Sequence, residues 1–241
     1  MKHLKKIDSN GNYTKFPGVT IAASVQLPVM QENPWLEIYN ALKKSTIISK
    51  YYALLPYQSY HMTTCNLYTE EDTPEWSEFI TSNLEFFKAL HESLKQNEFN
   101  PEVTIKMIST AGVLQLQLSL PQNQESIVQS IAKTFKLEDR MPYDFHITLA
   151  YEYRMMDNQT LYQSIKDELN EIIQPYLNKR IILNAPTLYY FENMTQFTPW
   201  DAKTNPFEVK KTNNASFLSL FTKPKTKKPV DELNSNECII S

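Results

Sequence analysis

The sequence predicts an α+β fold, in which antiparallel strands are interleaved with helices that cover the outer faces of the sheet. Residues 113–120 alternate apolar and polar side chains with a period of two, the pattern of a half-buried strand. Residues 75–95 instead repeat apolar side chains at the spacing of a helix. The chain has 241 residues, of which 41% are hydrophobic and 21% charged, so it is long enough to bury one good core.

The other elements follow from the same patterns and from turn residues. The first strand is bounded by prolines at both ends, and Asn33 is the expected N-cap of the first helix, with Pro34 in its first turn. Strands are predicted at 17–28, 51–55, 61–67, 101–109, 112–120, 144–151 and 181–191. Helices are predicted at 34–45, 75–95, 126–135 and 160–174. We divide the chain into a flexible leader (1–15), a folded domain (16–200) and a flexible basic tail (201–241).

Two of the predicted strands carry a histidine followed two residues later by a threonine. These are His61 with Thr63, and His146 with Thr148. Side chains alternate faces along a strand, so the histidine and threonine of each pair share a face. Two such strands facing one another would surround a phosphate ester with two imidazoles for proton transfer and two hydroxyls for its oxygens. The alternative for each histidine is a satisfied, partly buried strand residue without a role in catalysis.

A third histidine, His91, also matches this short pattern because Ser93 follows it. His91 lies in the predicted helix 75–95, where residues two apart do not share a face. Helical spacing is shown there by Phe79, Phe86, Phe87, Leu90 and Leu94. We therefore predict that His91 is a solvated helix residue outside the site.

Composition excludes several other kinds of chemistry. Two cysteines cannot build a disulfide framework or a cysteine-rich zinc site, and three glycines leave no Walker loop or dinucleotide turn. We therefore expect no cofactor and no metal. Residues 203–241 contain seven lysines and four acidic residues, so the remainder carries a net charge of −6 within a chain of −3. An acidic body favours a small phosphorylated ligand over duplex nucleic acid.

At the two histidine motifs the sequence resembles the two-histidine (2H) phosphoesterase superfamily, the LigT-like or cyclic-phosphodiesterase-like proteins. The stretches 51–63, 145–151 and 188–197 are most similar to a bacterial and fungal branch of it. The resemblance implies two pseudo-symmetric antiparallel sheets with outer helices around a central cleft. It also implies hydrolysis of cyclic or 2′-linked nucleotide phosphodiesters without a metal, at His61, Thr63, His146 and Thr148. Three aromatic residues are candidates for stacking on a base, with core packing as the alternative: Tyr189, Phe191 and Trp200.

The tail predicts attachment to a membrane. Its last four residues, from Cys238, have the form Cys-aliphatic-aliphatic-Ser recognised by a prenyltransferase. A lysine cluster would add attraction to an anionic membrane surface: Lys223, Lys225, Lys227 and Lys228. The amino-terminal residues lack the apolar segment of a secretory signal, so we expect a cytoplasmic protein that is partly anchored to a membrane. In a bacterium without a prenyltransferase the motif would be inert unless the protein entered a host cell.

These features lead to one functional hypothesis and one alternative. The hypothesis is a monomeric, metal-independent phosphodiesterase in which His61 is the general base and His146 the general acid. The roles would swap with the direction of the reaction. The alternative is a non-catalytic module that binds a nucleotide or an RNA end and is recruited to membranes.

Overall fold

The computed structural model describes residues 5–27, 33–73, 75–156 and 158–208. The predicted lipidation site Cys238 and the lysine cluster at 223–228 lie outside these residues, so membrane anchoring stays a prediction. No helix in the described ranges is long and apolar enough to cross a membrane.

The strands confirm the α+β class but form a single sheet where two sheets were predicted. Within the described residues the sheet has nine strands, in the order β7-β4-β5-β6-β3-β1-β8-β9, with β2 pairing β6. All neighbouring strands run antiparallel. The strands are β1 (Gly18–Ser24), β2 (Tyr52–Leu54), β3 (His61–Thr69), β4 (Glu102–Ser109), β5 (Val113–Ser119), β6 (His146–Glu152), β7 (Arg180–Ile182), β8 (Thr187–Asn193) and β9 (Gln196–Pro199). The predicted strand 181–191 is in fact two strands, which pair on opposite halves of the sheet.

The four predicted helices form, one of them with an interruption, and a short helix that was not predicted lies at Ile48–Tyr51. Asn33 caps the first helix, because its side-chain oxygen accepts hydrogen bonds from the N–H groups of Trp35 and Leu36. The helices are α1 (Pro34–Lys44), α2 (Ile48–Tyr51), α3 (Trp76–Ser82), α4 (Leu84–Gln96), α5 (Gln122–Thr134) and α6 (Gln159–Ile173). The predicted helix 75–95 breaks at Asn83, whose side-chain amide donates to the Phe79 carbonyl and so competes with the helical backbone bonds.

The core of the described residues consists of two clusters, which correspond to the two halves of the sheet. One joins α1 and α6 to β4, β5 and β6, and the other joins α3, α4 and α5 to β1, β3 and β8. A narrow junction between β3 and β6 connects the halves, with Met62 opposite Ile147 as its paired residues. The fold therefore keeps two lobes although its strands form one continuous sheet.

His91 is buried, so the prediction that it is solvated was wrong. It is 8% exposed, and neither ring nitrogen has a hydrogen-bond partner among the described residues. Phe87, Leu90 and Leu94 are the other buried residues of α4, and His91 continues their helical stripe. The same apolar spacing that predicts the helix therefore places this ring on its inner face.

The first residues described pack on the domain, whereas the sequence analysis assigned 1–15 to a flexible leader. Ile7 is fully buried and pairs with Tyr13 through an isolated bridge. The Tyr13 hydroxyl donates a 2.8 Å hydrogen bond to the Ala53 carbonyl. At the other end the compact unit reaches Phe207, whose ring packs 5.1 Å from Trp76. The domain is therefore longer at both ends than the predicted range 16–200.

Candidate active site

The two histidine motifs meet where the halves of the sheet join. Met62 and Ile147 are fully buried, and they point to the back of the sheet. If their register is continued by one residue in each direction, His61 lies opposite Thr148 and His146 lies opposite Thr63. All four motif side chains line one cleft on the other face. The two strands therefore bring together the four residues that the sequence singled out.

Both imidazoles are held in the same way. The Nδ1 atom of His61 lies 2.7 Å from the Ser59 carbonyl oxygen, and that of His146 lies 2.9 Å from the Asp144 carbonyl oxygen. A carbonyl only accepts hydrogen bonds, so each Nδ1 carries a proton and donates it. The other nitrogen, Nε2, is then the one left for proton transfer.

Burial lowers the pKa of His61 to about 4, because the charged imidazolium loses its contact with water. The positive charges of His146 and Lys6 act in the same direction, and the hydrogen bond to Ser59 acts against them. At neutral pH His61 is therefore uncharged, with a lone pair on Nε2. This is the protonation state that a general base needs.

An aromatic wall covers the His61 ring. The Phe197 ring lies 4.1 Å from it between centroids, and Phe191 lies 4.9 Å behind Phe197. Both phenylalanines line the cleft. They come from β9 and β8, so the edge of the sheet supplies the apolar surface against the His61 imidazole.

The three aromatic residues predicted to contact substrate lie in three different places. Phe191 is in the cleft wall. Tyr189 lines an adjoining cavity of about 150 Å³, and its hydroxyl lies 3.3 Å from Ser24 Oγ. Trp200 is buried in the core cluster of the α3–α5 half, where its Nε1 donates to the Thr204 carbonyl, and it does not line the cleft.

Tyr151 reaches the cleft although strict alternation would place it with Ile147 on the back of β6. The pairing of β5 with β6 shifts by one residue between Leu114 and Gln115. This bulge reverses the alternation beyond it. Tyr151 therefore lines the cleft and forms a side-chain hydrogen bond with Thr148, and burial raises the pKa of its hydroxyl.

The cleft has a volume of about 310 Å³ and contains charged groups that the sequence analysis did not select. Lys6 and Arg140 supply positive charge, and Glu71 and Asp72 supply negative charge. Arg140 donates a hydrogen bond to the Leu67 carbonyl and stacks over a tyrosine ring. No local sequence pattern separates Lys6 from the neighbouring lysines, except that the buried Ile7 follows it.

The part of the chain that the structure describes contains no cluster of metal-binding side chains. No three or more histidine, cysteine, aspartate or glutamate side chains are grouped there so as to hold a metal ion. Cys65 is buried, and burial raises the pKa of its thiol to about 12, so it stays protonated at neutral pH.

Comparison with known proteins relates the chain to a phosphodiesterase-like family. Residues 6–115 match the family described as "2H-phosphodiest: Domain of unknown function (DUF1868)". This range includes the His61 motif and ends before the His146 motif. This part of the chain is thus similar to a 2H-phosphodiesterase-like domain, in agreement with the resemblance at the first motif.

Individual proteins and solved structures share less than 25% sequence identity with the chain. The chain is 24% identical over 223 residues to "Uncharacterized protein 127L" of Invertebrate iridescent virus 6, covering 81% of this chain and 94% of that protein. The fold is similar to that of the "Conserved Protein of Unknown Function ATU0111" from Agrobacterium tumefaciens str. C58. That match has a TM-score of 0.58 and 20% identity, over 83% of this chain and 91% of the other. Kluyveromyces marxianus Usb1 with uridine monophosphate aligns with a TM-score of 0.41 and 11% identity, over 77% of this chain and 99% of that one.

Proposed function

We propose that this protein is a phosphodiesterase that hydrolyses cyclic (2′,3′-type) or 2′-linked nucleotide phosphodiesters. The match of residues 6–115 to the 2H-phosphodiesterase-like family supports this proposal. The two proton-transfer groups of the proposed enzyme are His61 and His146. The observation that carries this proposal is their matched anchoring, with each Nδ1 donating to a backbone carbonyl two residues earlier in the chain. This arrangement leaves the Nε2 atom of each ring available for proton transfer within a single cleft, as paired acid–base catalysis requires.

The reaction needs one neutral and one protonated imidazole. The neutral Nε2 of His61 takes a proton from water as the water oxygen forms a bond to phosphorus. The protonated Nε2 of His146 gives its proton to the 2′ or 3′ oxygen as the bond from phosphorus to that oxygen breaks. The two histidines exchange protonation states, and proton exchange with solvent restores them. The low pKa of His61 favours the base role for this residue in ring opening.

The two threonines would stabilise the charge that develops on the phosphate. Thr63 and Thr148 line the same cleft as the histidines, and each hydroxyl can donate one hydrogen bond to a nonbridging oxygen. Replacing a single donor of this kind typically lowers turnover about 10²-fold.

The size of the cleft favours a small substrate. Its volume of about 310 Å³ is at the lower end of ligand pockets, which run from about 300 to 1,000 Å³. The wall formed by Phe191 and Phe197 offers an apolar face on which a base could stack. Together with the acidic charge of the folded body, these features favour a mononucleotide or a nucleic-acid end.

The test is turnover of a panel of cyclic mononucleotides, cyclic dinucleotides and 2′-5′ oligonucleotides. His61→Ala and His146→Ala should each lower turnover about 10²–10⁴-fold while the protein stays folded. His91→Ala is the matched control, because it removes an imidazole from outside the cleft and should leave turnover unchanged. Turnover that persists in the His61→Ala/His146→Ala double variant would reject the proposal. Nucleotide binding without turnover by the wild type would favour the non-catalytic binding module.

A further inference from the structure

Lys6 is a cation inside the cleft, and the mechanism above does not use it. Its Nζ atom lies 5.1 Å from the Phe16 ring centroid and 5.4 Å from the Tyr151 ring centroid. The segment before β1 holds it there, because Ile7 is fully buried and anchors the chain next to it. The two rings thus fix the position of the ammonium group at the cleft.

The charge of Lys6 is not neutralised by an ion pair among the described residues. The adjacent Lys5 pairs with Glu71 at 3.0 Å, and Lys15 pairs with Glu70 at 3.0 Å, but Lys6 makes no such contact. Burial lowers the pKa of Lys6, because its charged form loses hydration. The carboxylate of Glu71, which pairs with Lys5, acts in the opposite direction and raises the pKa of Lys6. A partly buried cation without an ion pair is costly, and an anion bound in the cleft would offset that cost.

Lys6 also lies next to the reacting groups. It packs on Tyr151, whose hydroxyl is hydrogen-bonded to Thr148 of the second motif. Its charge acts on His61 of the first motif. A phosphate held between the two motifs would therefore be close to the ammonium group.

Resting on the function proposed above, we propose that Lys6 binds the phosphate on which His61 and His146 act. Its ammonium group neutralises a nonbridging oxygen, and this interaction strengthens as negative charge builds up during attack. The segment 5–16 is then part of the active site. A purely structural role would be a cation–π clamp that holds this segment to the domain.

The experiment measures inorganic phosphate binding by calorimetry at constant ionic strength, for wild type, Lys6→Met, Lys6→Arg and Lys15→Met. Methionine keeps an apolar chain between the two rings without the charge. Phosphate binding should weaken about 10- to 100-fold in Lys6→Met, the value of a charged hydrogen bond, and recover in part in Lys6→Arg. Lys15→Met should bind as the wild type does, because this exposed lysine lies outside the cleft.

Thermal unfolding separates the binding role from the structural one. A clamp predicts that Lys6→Met lowers the melting temperature while its phosphate affinity stays unchanged, and that result would overturn the inference. A second readout uses the wild type alone, in which phosphate should shift the side-chain NMR resonances of Lys6. An absence of phosphate binding, or of that shift, would also overturn it.

Failure of the Lys6 proposal and failure of the phosphodiesterase proposal give different results. Lys6-dependent phosphate binding without turnover of any cyclic or 2′-linked nucleotide would reject the phosphodiesterase and leave the phosphate site. Turnover that depends on His61 but not on Lys6 would leave the phosphodiesterase and reject the role of Lys6.

Discussion

The Phe197 ring is expected to set the pH range in which His61 acts as a base. It lies 4.1 Å from the imidazole, and burial is the largest cause of the low pKa of about 4. Phe197→Ala should admit water to the ring, which stabilises the imidazolium and raises the pKa of His61 toward the value of 6.5 for an exposed histidine.

The size of the effect on kcat/KM follows from the two pKa values of His61, about 4 when the ring is buried and 6.5 when it is exposed. At pH 5.5 a histidine with a pKa of about 4 is about 97% neutral, whereas one at 6.5 is about 9% neutral. The wild type should therefore retain nearly all of its kcat/KM at pH 5.5. Full hydration of the ring would cost the variant about tenfold at that pH relative to its own plateau, and partial hydration correspondingly less.

The assay is the pH dependence of kcat/KM, which reports on the free enzyme. NMR titration of the His61 ring gives the pKa of His61 directly, without turnover. The charge of His146 also acts on His61, so the profile is fitted with two interacting groups. Phe135→Ala, which removes an aromatic ring packed against Phe86 outside the cleft, controls for general loosening. The reasoning is refuted if the wild-type acidic limb has its midpoint near 6.5, or if Phe197→Ala leaves a low midpoint in place.

Two further predictions concern metals and packing. The proposed mechanism assigns both proton transfers to imidazoles, so turnover should survive exhaustive EDTA treatment; loss on chelation that a divalent ion restores would contradict it. Gly18→Ala should destabilise the domain, because its Cβ would lie 2.4 Å from Phe191 Cζ and 3.0 Å from the Tyr68 carbonyl oxygen. Overpacking of this kind costs about 1–3 kcal/mol, which is a fall of several degrees in Tm, and an unchanged Tm would show that Phe191 moves without cost.

Local sequence patterns were sufficient for the class of fold and for four of the residues that line the cleft. The α+β class follows from periods of two and 3.6, because burial on one face acts on residues that are near neighbours in the chain. The same alternation separates His61 and Thr63 from the buried Met62 between them. The order of the motifs in two strands was enough to predict a shared cleft, and the register of β3 with β6 places them there.

The structure places His91 and Tyr151 where the sequence analysis did not, and it leaves one prediction untested. His91 lies on the buried stripe of α4, and the spacing used to predict the helix already contained that information. Tyr151 lies in the cleft because a bulge reverses the alternation of β6, and a bulge depends on how two strands pair. Anchoring through Cys238 lies outside the described residues and stays a prediction.

The sequence by itself selected the side chains of the proposed reaction, because the period of two in a strand puts the histidine and the threonine of each motif on one face. Only the tertiary structure decided their surroundings. Lys6 reaches the cleft because Ile7 is buried more than fifty residues before His61 in the chain, and Phe197 reaches His61 from the far edge of the sheet. The pKa of a histidine depends on the water and charge around it, and these come from residues distant in the chain. Sequence periodicity describes only neighbours, so it predicts the acid–base groups but not the environment that tunes them.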